Sequence, residues 1–393
     1  MGAYIHPYRK KYILSNAILA LLFCLYGCTE PFTGEVAGLE DILVVNGLIN
    51  NENKRHQVLL SRPYRFDEDS PVPEENARVS INNDGQQIDF EEVEPGRYLS
   101  NMAFAAETDR SYSLSITTQN GRGYRSETMQ LPVAETTIDK LYAERTVNDQ
   151  GDEGMGIFVD TFDASSTSRF YRYEYEETYK IIAPFWSPLD VVFTIQLSTG
   201  PAFTVIRRER EEQVCYGTDQ EKAIDVVNTL NLGEDRLSGY NVRFINRDNY
   251  ILSHRYSILV RQYVQTPESF AYYEALRGLA QSATSVFTED QPGFLAGNVF
   301  SVTDENENVA GFFEVAAVTE KRIFFDYGDF FPGEELPPYF QNCTVIDQSG
   351  EDLKSTLARE ERVYFDGSYG TVPQACGDCN VLGSNKVPDF WLE

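Results

Sequence analysis

Cysteine and histidine bound the chemistry open to this chain. Cysteines stand at Cys24, Cys28, Cys215, Cys343, Cys376 and Cys379. Beyond His6 near the start, the only histidines are His56 and His254, far apart in sequence. A Ser-His-Asp triad or a His-rich metal centre therefore has little material, and both histidines read as surface or strand residues. Cys376-Gly377-Asp378-Cys379 has the spacing of a redox dithiol or of half a zinc site. A redox pair wants a βαβ frame with a helix starting at the first cysteine, and no such pattern surrounds it. Zinc needs four ligands, and an oxidising exterior favours disulfides over thiolate coordination. The first reading is thus two structural disulfides among Cys215, Cys343, Cys376 and Cys379, for which three pairings exist. Long-range bridges from Cys376 and Cys379 to Cys343 and Cys215 are the expected form.

Asp and Glu total 61. A glycosidase needs only two carboxylates ~5–9.5 Å apart, and no sequence pattern singles out such a pair. Asp67-Glu68-Asp69 and the run Asp304 to Asn308 offer oxygens to calcium, yet neither fits a twelve-residue EF-hand loop. No metal and no cofactor are expected. Tyr171, Tyr173, Tyr175 and Tyr179 occupy odd positions and share one face of a strand. They would form either a stacking platform for a sugar or protein partner or the core edge of a large sheet. With only Trp186 and Trp391 present, the chain is thin in tryptophan for a carbohydrate binder, and the core reading is preferred.

The first residues set the address. Residues 1–27 carry Arg9, Lys10 and Lys11 before a mostly apolar run from Ile13 to Tyr26. That run, with Ser15 and Asn16 in it, is too short and polar for a helix spanning ~20 residues, and it reads as a signal peptide. It ends in Leu25-Tyr26-Gly27-Cys28, the arrangement of a bacterial lipoprotein cleavage site, although Tyr26 is bulkier than usual there. Cys28 would then carry acyl chains, and several chains are what stable anchoring requires. Residues 28–38 read as the tether. The expected location is a membrane surface.

The whole chain has a net charge of −28. Without residues 1–27 it keeps 30 basic and 61 acidic residues and a net charge of −31. Such a field repels phosphate backbones, so nucleic acid is excluded as a partner. No basic patch offers itself to anionic lipid, which leaves the acyl group as the membrane contact.

The remaining residues, rich in Tyr (24) and Phe (25), favour strands. The fold expected is all-β and mainly antiparallel. From 39 to 132, short strand runs alternate with turn signals such as Asn82-Asn83-Asp84-Gly85, Glu94-Pro95-Gly96 and Gln119-Asn120-Gly121, as in an immunoglobulin-like β-sandwich. Asn148 to Gly154 reads as a turn or linker. A larger β-rich domain follows over 137–393, with strands at Arg169–Ile182, Val191–Leu197, Tyr256–Val264, Gly311–Val318 and Ile323–Tyr327, and a hairpin tip at Asp304 to Asn308. Thr266 caps a helix that has Pro267 first and Glu268 in its first turn. A second, poorly marked helix is placed near Gln220 to Asn228.

Several segments in order resemble the Bacteroidota outer-membrane lipoproteins grouped as domain of unknown function 4249. They include Cys28-Thr29-Glu30-Pro31-Phe32, Leu43-Val44-Val45-Asn46-Gly47, Tyr171-Arg172-Tyr173-Glu174-Tyr175, Gln291-Pro292 with Gly297-Asn298-Val299, and Lys386-Val387-Pro388-Asp389-Phe390-Trp391. The resemblance implies that the membrane is the outer membrane, with the protein on its periplasmic or cell-surface face. It implies no catalytic residues. It implies a partner, a TonB-dependent outer-membrane transporter, and hence a non-enzymatic accessory, docking or ligand-capture role by association. An envelope hydrolase using paired carboxylates and a structural or adhesive surface module are the alternatives.

The anchor is directly testable. Cys28→Ala is expected to abolish palmitate labelling and to move the protein from the membrane to the soluble fraction. A variant that still labels and sediments with membranes would refute the anchor.

Overall fold

Residues 42–63, 71–133, 136–220, 223–283, 295–367 and 369–393 are described by a computed structural model. Cys28, the tether, Asp67-Glu68-Asp69 and Gln291-Pro292 lie outside them. Alternation of apolar and polar residues decides where strands form. In chain order they are β1 (Leu43–Asn50), β2 (Gln57–Arg62), β3 (Val72–Pro73), β4 (Arg78–Asn83), β5 (Gln86–Glu94), β6 (Arg97–Ser100), β7 (Ser111–Thr117), β8 (Gly123–Ser126) and β9 (Met129–Gln130). Next come β10 (Ile138–Val147), β11 (Glu153–Asp163), β12 (Phe170–Ile182), β13 (Leu189–Leu197), β14 (Gly200–Arg207), β15 (Val214–Gln220), β16 (Asp225–Asn228), β17 (Asp235–Asn246) and β18 (Tyr256–Val264). Helix α1 (Pro267–Ala283) leads to β19 (Val299–Ser301), β20 (Val309–Phe325) and α2 (Tyr327–Phe330). The chain closes with β21 (Ile346–Asp347), α3 (Gly350–Ala358), β22 (Arg362–Asp366), β23 (Gly370–Pro373) and α4 (Gln374–Gly377).

The fold is all-β in plan, and among the described residues its strand pairs are antiparallel except one. The exception joins β1 to β20 in parallel, from Leu43 opposite Val309 to Asn50 opposite Ala316. Through it a single sheet runs in the order β15-β12-β18-β20-β1-β2-β6-β5-β4-β7-β8-β19. The first block is therefore one continuous path rather than two separate immunoglobulin-like sheets. It curls on itself: Leu114 of β7 lies 3.8 Å from where a Cβ on Gly47 of β1 would stand. Residues 42–393 form one compact unit, so no compact-unit boundary falls at 132–137. One apolar core runs from Leu43 and Val58 through Tyr173 and Ile258 to Phe331.

The turns follow their residues. Asp84 and Gly85, at φ 47° and 89°, close the β4–β5 hairpin, as a two-residue turn with positive φ at both positions requires. Asn148 Oδ1 accepts the N–H groups of Gln150 and Asp152, which makes Asn148–Asp152 the tight β10–β11 turn, with Glu153 and Gly154 already in β11, and not a linker. Thr266 Oγ1 accepts Ser269 N–H at 3.2 Å and so caps α1.

Three local expectations are corrected. In place of the helix expected near Gln220 to Asn228, the described residues Asp225–Asn228 form strand β16, in which β-branched Val226 and Val227 pair with Arg172 and Tyr171 of β12. Gly311–Val318 and Ile323–Phe325 are parts of one long β20, because polar Thr319 to Arg322 keep their pairing with β18, and Tyr327 belongs to α2 instead. Asp304 to Asn308 is a turn but no hairpin tip, since β19 before it pairs with β8. There are also more helices than the one or two expected, α2 and α4 being single turns of four residues.

Gly311 marks the closest approach in the central ladder. Its φ is +95°, and a Cβ there would lie 1.8 Å from the carbonyl oxygen of Val45. Gly311→Ala is expected to cost about 3 kcal/mol or more of unfolding free energy, against about 1 kcal/mol for Gly85→Ala, which meets nothing within 4 Å. Urea midpoints measure the difference, and equal midpoints would contradict the seating of β1 on β20.

Candidate functional site

The two faces of β12 behave differently. Its odd-numbered tyrosines turn toward the second layer, a three-stranded sheet β10-β11-β17. Tyr171 Oη donates to Asp235 Oδ1 at 3.0 Å, Tyr173 Oη donates to Gln262 Oε1 at 2.8 Å, and the Tyr173 ring stacks on Tyr240. Tyr171 and Tyr173 are 0% and 1% exposed and Tyr175 8%, so the row fills the interior. Burial raises the pKa of Tyr171 and Tyr173, which keeps both hydroxyls protonated. As an open stacking platform this row fails, because neighbouring side chains already occupy its faces. Tyr173 and Tyr175 do border a cleft of about 330 Å³ with Asp225, Asn241 and Arg277.

On the other face Arg172 is buried beneath α1. Its Nη2 meets Glu314 Oε2 of β20 at 2.8 Å, and its guanidinium lies 4.2 Å from the Tyr263 ring and 4.6 Å from that of Tyr273. Gln265 Nε2 donates to the second Glu314 oxygen at 2.5 Å. Burial works against the Arg172 charge, and the adjacent Glu314 carboxylate outweighs it, so the pKa rises. A second buried pair, Glu177 with Arg243 at 3.0 Å, ties β12 to β17 and accepts the Tyr256 hydroxyl at 2.6 Å. These groups went unassigned in the sequence. The signal for the first was present: Glu314 is a lone acid inside the apolar run Gly311-Phe312-Phe313 to Val318, and a charge there needs a buried partner.

A second cleft, of about 340 Å³, is lined by Lys180, Ser253, His254, Arg255, Asp326, Leu336 and Glu393 among others. Its charges are matched: Lys180 Nζ meets Glu393 at 3.1 Å and Arg255 Nη1 meets Asp326 at 2.6 Å. Burial, and then Lys180, lowers the pKa of His254. Ser253 Oγ donates to the Tyr250 carbonyl at 2.6 Å, which engages it with the backbone rather than with His254. The cleft offers a small polar solute alternating donors and acceptors, and its two carboxylates are each held by a cation.

The cysteines pair as Cys215–Cys379 and Cys343–Cys376. Each member of the Cys376-Gly377-Asp378-Cys379 motif thus bonds a distant partner, which excludes a dithiol couple within the motif in this state. Together they fasten α4 and the turn after it to β15 and to the loop before β21. Trp391 packs on Tyr216 and Phe324, so it serves this same packing. Among the described residues no cluster of three or more His, Cys, Asp or Glu is arranged to hold a metal. In the Asp304 to Asn308 turn, Asp304 Oδ1 accepts Asn306 N–H, and Glu307 Oε1 takes Arg122 at 3.1 Å and the Tyr124 hydroxyl at 2.6 Å.

His56 is an interior residue rather than a surface one. Its Nε2 donates to the Phe104 carbonyl at 2.8 Å, while Nδ1 is buried with no hydrogen-bond partner. Burial outweighs the hydrogen bond to the Phe104 carbonyl and pushes the pKa from 6.5 down to about 4. The unfolded chain therefore takes up the proton first. Stability from the neutral ring is full above about pH 6.5 and is lost as the pH falls toward 4. Urea midpoints between pH 7 and 4 should show the advantage of wild type over His56→Gln shrinking with acidification. A gap that stays constant would refute this.

Among the described residues no helix is long and apolar enough to cross a membrane. No curated protein matches the chain. A family profile described as "Domain of unknown function (DUF4249)" matches residues 29–322, a span that leaves out Cys343, Cys376, Cys379 and the closing Lys386 to Trp391 segment. The match covers three-quarters of the 393 residues, and the chain belongs to the family of domain of unknown function 4249.

Proposed function

We propose that the protein is a non-enzymatic outer-membrane lipoprotein, serving as an accessory, docking or ligand-capture partner of a TonB-dependent transporter. The observation that carries the reading is the lipid-attachment sequence Leu25-Tyr26-Gly27-Cys28, which leads after 14 further residues into the strand-rich body that starts at Leu43. A body held by acyl chains needs no spanning segment of its own. Two features of that body support docking over catalysis. The matched charges of the Lys180–His254 cleft leave its carboxylates engaged, and the interior tyrosines are engaged likewise. The strong negative charge favours contact through uncharged surface, because like-signed patches repel. The transporter is the partner that the family resemblance implies.

The test is affinity purification of the tagged, full-length protein from detergent-solubilised membranes. A TonB-dependent barrel is expected to co-purify in stoichiometric amount. Its reproducible absence would sink the transporter reading and favour the hydrolase or the adhesive module.

A further inference from the structure

Residues 191–206, Val191 to Ile206, contain no Asp, Glu, Lys or Arg, in a chain of which 24% is charged. They make up nearly all of the β13–β14 hairpin, whose two strands pair only with each other. The register sorts its side chains. Opposed pairs Val191–Val205 and Phe193–Phe203 share one face, which is covered in part: Val191 packs with Leu353 of α3 and Tyr364 of β22 and Phe203 packs against them, while Phe193 and Val205 stay exposed. Pairs Val192–Thr204, Ile195–Ala202 and Leu197–Gly200, together with Ile206, share the other. The bulge between Phe193 and Ile195 brings Ile195 onto that face. There Val192, Ile195, Leu197 and Ile206 are all exposed, Ile195 and Leu197 at 54% and 49%. Of the rim charges, Lys354 lies 4.5 Å from the Phe193 ring and 3.9 Å from Glu351, so it is offset locally.

We propose that this open face and the free strand edges of the β13–β14 hairpin are the docking surface for an extended, uncharged apolar segment of a partner protein, which adds to the hairpin as a further strand. The inference rests on the docking reading above and assigns its surface. Three arguments select that occupant. A two-stranded sheet leaves one edge of each strand without ladder hydrogen bonds, and such edges are templates for strand addition. Lipid cannot serve, since unpaired N–H and C=O groups in hydrocarbon cost several kcal/mol each. A second copy is opposed by the net charge of −31 that each chain carries without residues 1–27, whereas a neutral segment meets a neutral strip. A partner strand satisfies the backbone edge while its apolar side chains cover the four aliphatic residues.

The test uses the full-length, lipidated protein in its own membrane, with a photo-cross-linking residue at Ile195 or Leu197 and, as control, at exposed Leu230. Cross-links from positions 195 and 197, but not 230, to an outer-membrane barrel identified by mass are expected. Ile195→Glu combined with Leu197→Glu should reduce the co-purified barrel at least tenfold, with both disulfides and the membrane fraction unchanged. If the barrel co-purifies undiminished with that variant, the surface assignment is wrong and the docking reading stands. Cross-linking mainly to phospholipid or to a second copy likewise overturns the assignment. If wild type brings down no barrel, the docking reading and the assignment fall together.

Discussion

The parallel pairing of β1 with β20 is the constraint on which the architecture rests. Parallel strands cannot be joined by a tight turn, and here almost the whole chain forms the crossover between them. Closure entropy grows only with the logarithm of loop length, so this separation costs little more than a shorter one would. In return β1 sits with β20 on one side and β2 on the other, and both halves of the chain share a core. The ladder also sets where Glu314 lies, opposite Leu48. From there its carboxylate reaches Arg172 beyond the end of β18. Losing one partner of such a pair leaves a buried charge, at about 3–5 kcal/mol, whereas replacing both by apolar groups can be neutral. The pair therefore contributes more to specifying the alignment of β12, β18 and β20 than to net stability.

Much of this was legible locally. Arg97–Ser100, Ser111–Thr117 and Tyr256–Val264 are strands to the residue, the first two by an alternation of period two and the third as a nearly continuous apolar run of a strand buried on both faces. The cap of α1 followed from Thr266 and Pro267. The odd-position tyrosines do share a face, and their interior placement was the preferred reading. What stayed hidden was long-range. Nothing in Leu43–Asn50 marks Val309–Ala316 as its neighbour, and nothing in Tyr124 to Ser126 marks Val299 to Ser301. A polar stretch inside a strand, such as Thr319 to Arg322, interrupts the alternation signal although its backbone stays paired with β18.

The cysteines show the same division. Composition indicated two bridges and the favoured partners, while the assignment of Cys215 to Cys379 and Cys343 to Cys376 depended on which loops the sheet brings together. His56 shows the converse. A lone histidine in a polar stretch, Asn53-Lys54-Arg55, gave no local sign of burial, and only the packing of Phe104 against its ring encloses it.

The position of β1 also determines how the molecule bears load. On the proposed anchoring, a pull from the N-terminal side would enter the described body at Leu43, the first residue of a central strand, along the strand axis. Such a force shears the ladders to β2 and β20 together, so many hydrogen bonds must break at once instead of one after another as in peeling. Fifteen residues from Cys28 to Leu43 reach at most ~50 Å when taut. On that anchoring, load from the envelope would meet two ladders in shear at once, which suits a body tugged by a moving partner.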